Sequence, residues 1–113
     1  MRGLLLAGLV TVWASIAAAH SPLKSTIPAN DATITEAPTE ITLNFGNGIH
    51  LTRLTVTHAA GEKNKLNLRM YPGFTKKYQI PFEPVGVGNY LIEWRGLGHD
   101  GHALNGNFSF TVK

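Results

Sequence analysis

The chain has 113 residues, ten Lys and Arg against seven Asp and Glu, and no cysteine. That length supports one small domain with a single core. The lack of cysteine excludes a disulfide scaffold and any thiolate metal site, and the basic residues form no cluster with interleaved aromatics of the kind that binds nucleic acid.

Residues Met1 to Ala19 read as a cleaved secretory signal peptide. Arg2 supplies the positive start, Gly3 to Trp13 the short apolar stretch, and Ala17-Ala18-Ala19 the small-residue cleavage site. The apolar stretch is too short to span a bilayer, and no second long apolar run follows, so no membrane insertion is expected after cleavage. Cleavage after Ala19 leaves a single domain, residues 20–113, with His20 at its amino terminus. Loss of Arg2 lowers the formal charge from +3 by one unit.

Beyond the leader, the chain shows short alternating runs separated by turn residues, which predicts strands throughout. Leu23 to Ile27 is the first, closed by Pro28. Ile41, Leu43 and Phe45 share one face of the second, which Gly46-Asn47-Gly48 interrupts. Leu51 to Thr57 is a third and Leu66 to Met70 a fourth, with Leu66, Leu68 and Met70 on one side. Tyr78 to Ile80 is a weaker strand limited by Pro81. Asn89 to Arg95 places Tyr90, Ile92 and Trp94 on one face, and Asn107 to Val112 does the same with Phe108, Phe110 and Val112. No stretch carries a long helical period. The expected fold is all-β: a small Greek-key sandwich or barrel, immunoglobulin-like, of about seven strands.

The loop Gly96 to His102 joins the two strongest strands, and loops on a rigid scaffold are where binding residues usually sit. Asp100-Gly101-His102 offers a carboxylate and an imidazole two positions apart, with a glycine between them that lets both face one point. An N-terminal His20 adds its α-amine and its ring nitrogen through one chelate ring. Nitrogen and oxygen donors of this kind suit tetragonal Cu(II), whereas zinc prefers a tetrahedral set richer in Cys or His. His99 is expected to face away from a metal held by Asp100 and His102, because successive residues of an extended segment point to opposite sides. His50 reads as a solvated loop residue and His58 as a surface residue at a strand end.

The mature start His20-Ser21-Pro22-Leu23, the runs Ser25 to Ala29 and Ile41 to Phe45, and the last third resemble the CopC family of periplasmic copper-binding proteins. In that last third the resemblance is carried by Gly88-Asn89-Tyr90, Glu93-Trp94-Arg95, Asp100-Gly101-His102, Gly106 and Phe108 to Val112. The resemblance implies a β-sandwich or barrel, a periplasmic location and a Cu(II) site made by the amine and ring of His20 with Asp100 and His102. It also implies exchange of copper with an inner-membrane transporter or a copper-enzyme acceptor. Family members often carry an acidic residue after the second strand, where this chain has Phe45-Gly46-Asn47. Some hold Cu(I) in a methionine-rich loop, where this chain has Thr57 to Gly61 and no methionine. A separate Cu(I) site is therefore not expected, and the expected role is copper storage, buffering, transfer or resistance without catalysis.

Two other readings stay open on the sequence. A copper ion held by an N-terminal histidine and a second histidine is the arrangement of lytic polysaccharide monooxygenases, although so short a chain leaves little room for a polysaccharide-binding face. The other is a metal-free β-sandwich interaction module, in which Asp100-Gly101-His102 is only a turn.

Overall fold

The computed structural model describes residues 22–113, which fold into seven strands with no helix among them. In chain order these are β1 (Leu23–Ile27), β2 (Ala32–Ile34), β3 (Glu40–His58), β4 (Lys63–Lys65), β5 (Thr75–Pro81), β6 (Gly88–Leu97) and β7 (Ala103–Val112). Apart from Leu66, Leu68 and Met70, the alternating apolar positions identified in the sequence are buried. Ile41, Leu43, Leu54, Tyr90, Ile92 and Phe110 have no exposed surface at all. Each such side chain contributes roughly 1.5–3 kcal/mol relative to leaving it in water.

One strand organises the molecule. The first half of β3 pairs antiparallel with β1 on one side and β5 on the other, while its second half pairs with β6 and β4. The β6–β7 hairpin continues the second sheet, and β2 closes it by pairing parallel to β7. The expected interruption at Gly46-Asn47-Gly48 is a bend inside a single 19-residue strand rather than a break between two. At this bend β3 leaves one sheet and enters the other, so the two layers share a strand and enclose a common core.

Aromatic side chains fill the space between the layers. The Phe45 ring meets Trp94 edge-on at 5.1 Å and Tyr78 at 6.0 Å, and Tyr90 stacks on Phe110 at 5.2 Å. Gly106 is required by this packing: a Cβ there would stand 2.8 Å from Nε1 of the Trp94 indole. Tyr78 locks the bend of β3. Its hydroxyl donates to the Ile49 carbonyl and accepts from the Leu51 N–H at 3.2 Å, so a buried polar group supplies partners that the ladder does not.

One strand expectation needs correction, and one strand was not expected. Leu66 to Met70 is not a strand. Only Lys63 to Lys65 pairs with β3, after which the Leu66 N–H donates to Leu54 and the Asn67 side chain captures the Arg69 N–H at 2.8 Å. That local side-chain turn pulls the chain away from the sheet, so Leu66 and Leu68 still pack on the core while Met70 is 82% exposed. Conversely, β2 has only three residues and no alternation long enough to signal a strand. It exists because β7 offers a free edge.

Candidate metal centre

The β6–β7 hairpin closes at the pair Leu97 and Ala103, leaving a five-residue loop from Gly98 to His102. The Gly98 N–H donates to the His102 carbonyl at 3.0 Å, and the Gly101 N–H donates back to the Gly98 carbonyl at 3.0 Å. Gly101 sits at φ 85°, a conformation that costs glycine little and other residues more. The reversal at Gly101 brings Asp100 and His102 to the same side, as the Asp-Gly-His spacing predicts.

Both Asp100 carboxylate oxygens engage His102. Oδ1 accepts from the backbone N–H at 3.0 Å, and Oδ2 lies 2.8 Å from ring Nδ1. The side-chain hydrogen bond from His102, reinforced by its backbone N–H, holds Asp100 below the ordinary value of 3.8. The same hydrogen bond and the attraction of opposite charges hold His102 above 6.5. The side chains are 79% and 67% exposed for His102 and Asp100, so solvent screens the pair heavily. With Nδ1 turned toward the carboxylate, Nε2 is the nitrogen left facing outward. A carboxylate behind an imidazole fixes the tautomer and orientation of a metal-binding ring.

The pair borders a depression of about 680 Å³ that is also lined by Pro22, Asn47, Ile49 and His99. Pro22 is held there by its carbonyl, which accepts the Gly46 N–H at 2.9 Å. The amino-terminal end of the described chain, the β3 bend and the β6–β7 loop thus meet at one place. His20, the remaining ligand expected from the sequence, lies outside the described residues. Among the described residues no group of three or more His, Asp or Glu side chains is placed to hold a metal ion.

The other histidines are placed as follows. His99 turns toward Phe74, stacking on its ring at 4.3 Å with 18° between planes, and its Nε2 approaches Gly48. His50 is in β3 rather than in a loop, half-buried, with its ring 5.6 Å from Phe74. Phe74 therefore stands against both histidines beside the depression. No periodicity flagged it, because it lies outside any strand. His58 is at the far end of β3, half-buried against Tyr90, with Nε2 2.8 Å from the Val87 carbonyl.

Comparison with known proteins agrees with this architecture. The CopC domain model matches residues 23–113. Copper resistance protein C of Escherichia coli is 34% identical over 99% of this chain and 96% of that protein. Protein YobA of Escherichia coli K12 is 33% identical over 97% of this chain and 90% of its own length. Among solved structures, PcoC of Escherichia coli, described as a methionine-rich copper resistance protein, superposes with a TM-score of 0.57 at 34% identity. That match covers 84% of this chain and 100% of PcoC. CopC from Methylosinus trichosporium OB3b shares the fold, with a TM-score of 0.65 at 23% identity over 83% of this chain and 94% of its own. The chain belongs to the CopC family of copper resistance proteins.

Proposed function

We propose that this protein is an exported, periplasmic carrier or buffer of copper that takes one Cu(II) ion as cargo. The ligands are the α-amine and ring of His20, the His102 imidazole and the Asp100 carboxylate. The observation that carries the reading is the convergence of Pro22 with Asp100 and His102 on one depression. Two residues of extended chain span at most about 7 Å, so a terminus two residues before Pro22 is within reach of the pair. The donor set is nitrogen and oxygen only, and it is open to solvent on one side. That suits uptake and release of a tetragonal ion better than permanent burial.

The chain's own residues do three things in this scheme. The Gly98–His102 hydrogen bonds hold the loop in shape before the ion arrives. Asp100 orients the His102 ring and supplies negative charge opposite the cation. On binding, one of its oxygens exchanges a contact with His102 for the metal. The proposed exchange of copper with a membrane copper transporter or a copper-enzyme acceptor is supported by the exposure of the Asp100–His102 pair.

The test is to shift the amino terminus. Protein with one residue added before His20 no longer carries amine and imidazole on the same residue. Competition with a Cu(II) chelator should show affinity reduced more than roughly 100-fold, beyond what loss of an outer-shell contact costs, with the circular dichroism spectrum unchanged. Equal affinity in the extended and native-terminus proteins would remove His20 and its amine from the site.

A further inference from the structure

The outward face of the second sheet carries a concentration of charge that shares no lining residue with the depression at Asp100 and His102. Arg53 of β3 and Arg95 of β6 are direct partners in the antiparallel ladder. A register shift between Leu51 and Arg53 sets the alternation so that Leu54 and Val56 point into the core and Arg53 stays out, across from Arg95. Opposed side chains in such a ladder start about 5 Å apart, and like charges placed there destabilise the sheet.

Neither guanidinium has a hydrogen-bond or ion-pair partner among the described residues. The carboxylate in the next row, Glu93, is engaged by Lys63 at 3.1 Å. Asn105, the partner of Arg95 on β7, extends the row of donors. These groups, together with the Lys63–Glu93 ion pair, border a depression of about 300 Å³, leaving the two guanidinium charges in excess. Two planar forks of N–H donors side by side, uncompensated and flanked by an amide, match an ion with several oxygens and more than one negative charge. A carboxylate commits both of its oxygens to one bidentate guanidinium and leaves only their outer lone pairs to the second. A phosphate has enough for both.

We propose that this depression binds a small oxyanion of the phosphate class, inorganic phosphate or pyrophosphate, clamped between Arg53 and Arg95 with Asn105 at its edge. The site needs no metal and is independent of the copper reading.

The experiment titrates metal-free protein with inorganic phosphate and with pyrophosphate at constant ionic strength, read by amide NMR and by Tm. Saturable shifts confined to residues 53–55, 93–95 and 105–107 are expected, with a ligand-dependent rise in Tm. Arg53→Gln and Arg95→Gln should each weaken binding on the order of tenfold or more. Without ligand, neither should lower Tm, because each removes the repulsion. Arg53→Lys combined with Arg95→Lys keeps the charge but loses the forks, and should bind clearly more weakly than the native protein. Unsaturable shifts, shifts centred elsewhere, or a lysine pair that binds as well as the arginines would overturn the proposal. Sedimentation with phosphatidylglycerol vesicles through Arg53 and Arg95, without any response to free phosphate, would overturn the free-ion assignment in favour of a lipid headgroup.

Discussion

At the scale of single residues, the proposed ligand role of Asp100 and His102 would tie copper affinity to protons. His102 is held above its ordinary value by the carboxylate, so the protonated ring, which cannot bind metal through Nε2, persists closer to neutral pH than in a free histidine. Cu(II) affinity should therefore begin to fall near neutrality and continue falling toward about pH 5, as the amine and both imidazoles take up protons. A chelator competition series across that range checks this, and a flat profile would exclude these groups as ligands. In metal-free protein the same contact has a sign of its own. Its stabilisation through His102 is present below the ordinary histidine value and is lost as pH rises through the raised one. Its stabilisation through Asp100 is present above the ordinary carboxyl value and is lost as pH falls through the lowered one. The NMR titration midpoint of His102 should accordingly drop in Asp100→Asn, and an unchanged midpoint would mean the contact is absent in solution.

At the scale of elements, β3 depends on partners from outside its own sequence. Removing the Tyr78 hydroxyl leaves the Ile49 carbonyl and the Leu51 N–H at the bend without their shared partner. Tyr78→Phe should cost about 1–3 kcal/mol in urea unfolding while preserving the shape of the ring, and a loss near zero would show that water replaces the hydroxyl freely. Gly106→Ala places a methyl group against the Trp94 indole, in a core with little room to yield. It should destabilise by about 1–3 kcal/mol, visible as a lower unfolding midpoint with blue-edge tryptophan fluorescence altered. Alternation along Ile41 to Phe45, Tyr90 to Trp94 and Phe108 to Val112 was enough to place these strands, because a strand buried on one face must repeat every two residues. The strand length of β3 was not legible. A glycine-rich bend and a chain break between strands look the same in one dimension.

At the scale of the whole molecule, the two ends of the second sheet lie far apart. His50 pairs with Leu97 beside the depression and His58 with Tyr90 at the other end, eight positions further along β3 or roughly 26 Å. His58→Ala should therefore leave Cu(II) affinity unchanged, although losing the Val87 contact and the Tyr90 packing should lower stability by about 1 kcal/mol. A loss of copper binding in that variant would move the site. The chain has two methionines, Met1 and Met70. Met70 projects into solvent from the β4–β5 loop and two methionines make no cluster, so under the proposed reading titration should give one tight Cu(II) per chain. No Cu(I) site of similar strength should survive replacement of His20 and His102.

The sequence alone determined the all-β class, most of the core and the Asp-Gly-His pair. The first two follow from a period of two in apolar side chains, and the third from a short turn whose geometry is set by neighbouring residues. Tertiary structure decided what depends on distant chain. β2 forms because β7 has an edge to fill, and Leu66 to Met70 leaves the sheet because Asn67 captures a backbone N–H. Pro22 lines the same depression as Asp100 because the bend in β3 supplies the Gly46 N–H to its carbonyl. Arg53 and Arg95, 42 positions apart in the numbering, oppose each other only through the β3–β6 register. Local periodicity reports which face a residue takes, but only the pairing of strands determines which residue it meets there.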